Sequence, residues 1–243
     1  MSKPELNLEP RERIVLPLDV STYAAAETLV GNLAPYIGLC KVGLEMQHAL
    51  GGPQSVAFVH GMLEQKVFYD CKIHDIPNTM VGAAKSIAAM KVMMFNIHAS
   101  AGKKAIADVA KVKGESLLLG VTVLTSISDE ECLSIFGDVP GSKVLQFAQM
   151  LVDHGADGIV CSPKELRLLG EKGLLEKLVS VIPGIRTERS KKNDQERITT
   201  PFEAIFCGAD FIVVGRAITD DPDPVQAAKD VGQEIANAYN ERS

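Results

Sequence analysis

Short apolar runs rich in Val and Ile recur along the chain. They are Ile14–Asp19 "IVLPLD", Leu39–Gly43 "LCKVG", Val67–Lys72 "VFYDCK", Val92–His98 "VMMFNIH", Leu117–Val123 "LLLGVTV", Gly158–Cys161 "GIVC", Val179–Pro183 "VSVIP" and Phe211–Gly215 "FIVVG". Nearly continuous runs of this kind suit parallel strands covered on both faces. The intervals read as helices. Ser21 and Thr22 can cap one that runs to about Ala34, and Pro77 sits at the first turn of another that continues "MVGAAKSIAAM". Pro163, Pro201 and Pro224 open similar segments. Strand then helix, eight times in 243 residues, predicts an α/β chain folded as a single-domain (β/α)8 TIM barrel over residues 13–243, behind a polar extension at 1–12. The competing arrangement is an open doubly wound sheet. A nucleotide-binding sheet of that type carries GxGxxG after its first strand, and "LDVSTYAAAE" has none.

Arg186–Thr200, "RTERSKKNDQERITT", breaks the alternation. It is polar, charged and long for a strand-to-helix connection, the character of either an active-site lid or a solvated loop.

Charged residues fall where barrel chemistry is done, at the C-terminal ends of the strands. Asp19 closes the first run, Lys41 lies in the second, and "DCKIHDIPNT", Asp70–Thr79, ends the third. Residues two apart on a strand point to one face, so Asp70 and Lys72 are expected to share one. With Asp19 and Lys41 from neighbouring strands, charges of alternating sign converge at one mouth. A structural ion-pair network would use the same spacing, since buried charge is costly unless paired. At the other end, "VVGRAI" places Gly215 and Arg216 at a strand-to-helix turn, where barrels commonly bind phosphate and Arg offers a two-pronged grip. "PGIR" puts Arg186 at the root of the long polar stretch.

Composition narrows the classes. The chain is 46% apolar with net charge −6 and no long basic run, which argues against nucleic acid as a partner. No apolar run reaches the roughly 20 residues of a membrane helix. The start, "MSKPELNLEPRER", is too polar for a signal peptide. The five cysteines, Cys40, Cys71, Cys132, Cys161 and Cys207, are scattered without CxxC, as in a reduced cytoplasmic protein. The five histidines, His48, His60, His74, His98 and His154, show no metal spacing, and His98 is expected to pack or hydrogen-bond at the end of the fourth strand.

Together these residues resemble the orotidine 5′-phosphate decarboxylase family in its short, bacterial-type form. The hallmark D-x-K-x-x-D-I-x-x-T is filled by Asp70, Lys72, Asp75, Ile76 and Thr79, and "HDIPNT" is the bacterial spelling. "LPLDV", "KVGLE", "VTVLTS", "PGIR", Gln195 and "VGRAI" follow in family order over nearly the whole chain, with Cys71 where an aliphatic residue is commoner. The resemblance implies decarboxylation of orotidine 5′-phosphate to uridine 5′-phosphate in pyrimidine biosynthesis, with no cofactor and no metal. It implies that Asp70 faces the substrate carboxylate and Lys72 protonates C6, with Lys41 and Asp75 completing the network. Asp19 and Lys41 would hold the ribose, and Thr125 and Ser126 would lie by the base. Gln195, Gly215 and Arg216 would hold the phosphate with Arg186 beside it, and Pro183 would also bind substrate. The long polar stretch becomes a lid carrying Gln195. It further implies a homodimer in which Asp75, Ile76 and Thr79 reach the neighbouring site. Metal-dependent sugar-phosphate lyases of the same barrel share D-x-K-x-x-D but follow it with a small residue and Gly, and lack a match to Lys41. A non-catalytic phosphate-binding barrel would not need Lys72 and both aspartates.

Overall fold

In the computed structural model, residues 2–64, 66–187 and 199–242 are described. Eight strands among them follow one another in a closed parallel order. They are β1 (Ile14–Pro17), β2 (Leu39–Val42), β3 (Val67–Ile73), β4 (Met94–His98), β5 (Leu117–Val121), β6 (Gly158–Val160), β7 (Val179–Ile182) and β8 (Phe211–Val213). Each lies within or over one of the apolar runs, and helical segments separate them, so the fold is a (β/α)8 barrel.

Two compact units make up the chain, and each has its own packing. The terminal unit comprises Leu6–Asp70 and Ile182–Ser243. Here β1 pairs with β2 in the register Val15↔Leu39 and Pro17↔Lys41, and with β8 through Ile14↔Ile212. β2 pairs with β3 through Lys41↔Phe68 and Val42↔Tyr69. Every residue of β1 is buried, as the unbroken apolar run requires. Thr22 caps the helix Tyr23–Leu33 by accepting the Ala25 N–H, which satisfies a backbone donor otherwise left open at a helix start. Buried Arg13 donates to the Asp210 carbonyl at 3.1 Å, and its guanidinium lies over the Tyr239 ring of the last helix, Pro224–Arg242.

The central unit comprises Met1–Glu5 and Cys71–Val181. Its strands pair β4–β5–β6–β7, with Asn96 opposite Leu119 and Gly158 opposite Val179. Gly120 shows why a small residue stands mid-strand: a Cβ there would lie 2.2 Å from a Leu151 methyl on the helix Pro140–Asp153. Proline opens that helix and the helix Pro77–Ala89, where a missing N–H costs nothing.

Candidate active site

In the terminal unit Lys41 draws two carboxylates together. Its Nζ lies 3.2 Å from Asp70 Oδ2 and 3.3 Å from Asp19 Oδ1. The two contacts differ in kind. Asp70 is 7% exposed, so its charge needs the ammonium nearby. The Asp19 side chain is mostly solvated, and such a pair is worth at most about 1 kcal/mol. An exposed carboxylate beside a fixed ammonium suits hydroxyl recognition better than stability. Asp19 lies two residues past the end of β1, while Lys41 and Asp70 lie within β2 and β3.

Two residues to which the sequence assigned no role in the site, Gln47 and Gly43, shape this cluster. Gln47, on the helix Leu44–Leu50, donates from Nε2 to the carbonyls of Val42 at 2.8 Å and Asp70 at 3.1 Å. It ties the ends of two strands. Gly43 leaves space for the ammonium: a Cβ on it would lie 2.6 Å from Lys41 Nζ and 3.2 Å from Asp19 Oδ1. Neither has a clear linear signal, because a Gln on a helix and a Gly before one are ordinary. Next to Lys41, burial pushes the Cys40 thiol up to about 12, so it acts as a neutral packing group.

Arg216, in the same unit, is exposed and opens the short helix Arg216–Thr219 after β8. Gly215 precedes it; a Cβ there would lie 2.9 Å from Pro17 Cγ, so the turn passes close over β1. Pro183 and Gly184 follow β7, and Arg186 is half-buried with its N–H bonded to the Thr199 carbonyl at 3.1 Å. That bond joins both ends of the long polar stretch. Gln195, within it, lies outside the described residues.

In the central unit Lys72 breaks the regularity of β3. Its φ is 46°, in the left-handed region, where an L residue stands at a cost of roughly 1–2 kcal/mol. Alternation of faces is a rule for extended backbone, and the Lys72 backbone is not extended. The Lys72 N–H donates to Asn96 Oδ1 at 2.7 Å, and the Cys71 thiol to the Asn96 carbonyl at 3.3 Å. Asn96 did leave a trace in the sequence, as the one polar residue inside "MMFNI".

Asp75 is exposed and accepts the Ile76 N–H at 2.6 Å; it pairs with no cation among the described residues. Ile76, 67% exposed, and Thr79, also exposed, stand at the start of the helix Pro77–Ala89. Thr125 and Ser126 are exposed in the turn after β5. His98 closes β4, with its ring 5.5 Å from that of His74, whose Nε2 lies 3.5 Å from Ser100 Oγ. Among the described residues no group of three or more His, Cys, Asp or Glu is placed to hold a metal ion.

A closed (β/α)8 barrel with a lysine between two carboxylates at the ends of its first strands is an arrangement found among barrel enzymes, whose active sites lie at those strand ends. The chain belongs to the Orotidine 5'-phosphate decarboxylase / HUMPS family, whose model matches residues 12–231. It is 42% identical over 229 residues to the orotidine 5'-phosphate decarboxylase of Anaeromyxobacter sp. (strain K), covering 91% of this chain and 97% of that relative. It is 41% identical over 234 residues to the enzyme of the same name from Syntrophomonas wolfei subsp. wolfei, covering 91% and 96%. The crystal structure of orotidine 5'-phosphate decarboxylase from Lactobacillus acidophilus superposes with a TM-score of 0.77 at 31% identity, over 91% of this chain and 98% of that one.

Proposed function

We propose that this chain is an orotidine 5′-phosphate decarboxylase, a carboxy-lyase of pyrimidine biosynthesis that forms uridine 5′-phosphate and carbon dioxide. The observation that carries the reading is the Lys41 ammonium held between Asp19 and Asp70, the first aspartate of the D-x-K-x-x-D hallmark, in a member of this family. The substrate carboxylate on C6 is set against Asp70. The C6–carboxylate bond breaks, the electron pair stays on C6, and carbon dioxide leaves. A proton from Lys72 Nζ then closes the C–H bond. No neighbouring carbonyl can accept that electron pair, so fixed charge near C6 has to lower the barrier. Asp19 and Lys41 take the ribose hydroxyls, and Thr125 and Ser126 the base. Gln195, Gly215 and Arg216 hold the phosphate with Arg186 beside it, and Pro183 also lines the substrate site. Binding there, far from the reacting carbon, supplies free energy for closing the site around it.

The enzyme works as a homodimer, with Asp75, Ile76 and Thr79 serving the partner's site. Their exposure in the single chain supports this. The cytoplasm is the proposed compartment, which the five free cysteines support. No helix among the described residues is long and apolar enough to cross a membrane.

The test is turnover of orotidine 5′-phosphate followed by absorbance, before and after exhaustive chelation. Turnover is expected to survive chelation, and Lys72→Ala to abolish nearly all of it with an unchanged circular dichroism spectrum. Loss on chelation that a divalent metal restores would instead identify a metal-dependent sugar-phosphate lyase.

A further inference from the structure

Lys72 is the only residue of β3 with a positive φ. A long L side chain leaves that region unless its surroundings over-determine it. One neighbour on the adjacent strand grips this backbone directly. Asn96 is fully buried between Phe95 and Ile97, themselves fully buried on β4, at a position where an aliphatic side chain would pack without the cost of desolvating an amide. Its Oδ1 accepts the Lys72 N–H at 2.7 Å, and its own carbonyl accepts the Cys71 thiol at 3.3 Å. The first of these bonds anchors the peptide plane between Cys71 and Lys72. With that plane held, φ alone sets the direction in which the Lys72 Cα–Cβ bond departs. Against a parallel-strand φ near −120°, the observed 46° turns that bond by roughly 165° about N–Cα.

We propose that Asn96 is a positioning residue for the reaction: its side-chain oxygen holds the left-handed backbone of Lys72 and so aims the ammonium that protonates C6. The inference rests on the role given to Lys72 above. It explains why a buried carboxamide stands between the apolar Phe95 and Ile97, and why β3 departs from extended geometry at the residue that must reach the reacting carbon.

Asn96→Leu keeps the size and removes the acceptor, whereas Asn96→Asp keeps an oxygen in the same place. For each, kcat and KM are measured, uridine 5′-phosphate affinity is taken by calorimetry, and exchange of the Lys72 amide is followed by NMR. In Asn96→Leu, kcat is expected to fall about a hundredfold, the loss that misplacing an acting group by about 1 Å produces. KM and product affinity should stay within about threefold, because neither depends on proton delivery. The Lys72 amide should lose protection while those of Phe95 and Ile97 keep theirs. Asn96→Asp should recover at least about tenfold of the lost kcat. If Asn96→Leu does not fold, Asn96→Ala carries the same comparison, since it too lacks the acceptor. Near-parental kcat with the Lys72 amide unprotected overturns the proposal. So do equal losses in kcat and product affinity, or an Asn96→Asp variant no better than Asn96→Leu. A parent protein that does not decarboxylate orotidine 5′-phosphate overturns the assigned function and this proposal with it; failure confined to the variants overturns the proposal alone.

Discussion

Gly43→Ala should separate catalysis from stability in the Lys41 cluster. Gly43 precedes the helix Leu44–Leu50 with φ −89° and ψ −179°, extended geometry that alanine adopts without strain. What alanine adds is a methyl group 2.6 Å from Lys41 Nζ. An ordinary contact is about 3.5 Å, so the ammonium must withdraw by about 1 Å. It now sits 3.3 Å from Asp19 Oδ1, to which the new methyl also comes within 3.2 Å, so that movement breaks the solvated Asp19 pair while the ammonium keeps its contact with buried Asp70, now 3.2 Å. Stability should hardly change. The displaced atom ends a flexible chain, the solvated Asp19 pair is worth at most about 1 kcal/mol, and replacing glycine at a permitted backbone returns about 0.4–1 kcal/mol. The melting temperature should stay within about 3 °C of the parent. Activity should change greatly. A misplacement of about 1 Å costs on the order of a hundredfold in rate, about 2.7 kcal/mol of transition-state stabilisation. Steady-state decarboxylation and a thermal melt on the same preparations decide it. A kcat/KM within threefold of the parent would show that the Lys41 position does not matter to the reaction. A melting temperature lowered by about 8 °C or more would show that the ammonium cannot move as argued.

Two other expectations concern the shared site and a buried acid. If Asp75 serves the neighbouring site, Lys72→Ala and Asp75→Asn are each nearly inactive. Unfolding, mixing equally and refolding should then restore about a quarter of the sites, by two-fold counting. Activity no higher than that of the parents after proven subunit exchange would place Asp75 in its own chain's site. Glu165, in the turn Pro163–Glu165 after β6, has a carboxyl oxygen buried without a hydrogen-bond partner, and burial raises its pKa from 4.5 to about 7. The folded state therefore favours the neutral form. The stability that Glu165 contributes is fully present below pH 4.5, is lost as pH rises to about 7, and stays lost above. Glu165→Gln should add up to about 2 kcal/mol at pH 8, allowing for partial exposure, and nothing at pH 4.5. An equal gain at both values in chemical denaturation would remove ionisation as the cause.

Much of the chain's organisation is legible in one dimension because its signals are local or periodic. Unbroken apolar runs such as "IVLPLD" and "FIVVG" mark strands covered on both faces, and each run contains or overlaps one of the eight. Thr22 and Pro77 mark helix starts, since a hydroxyl or a missing N–H settles an unpaired donor within a few residues. Family membership was legible for the same reason: Asp70, Lys72, Asp75, Ile76 and Thr79 hold their spacing within ten residues of chain.

Tertiary structure decided what depends on contacts between residues far apart in sequence. Asp19, Lys41 and Asp70 become one cluster only when three parallel strands bring their ends together, and the sequence cannot say that Asp70 is buried while Asp19 is solvated. Gln47 matters through two carbonyls, one of them 23 residues away, and Gly43 through the ammonium it leaves room for. Lys72 is the sharpest case. Its residue type and spacing announce a chemical role, and alternation along an extended strand would give its direction. The backbone is instead left-handed, bonded to an asparagine 24 residues later, because a hydrogen bond across strands can hold a conformation that local preference disfavours.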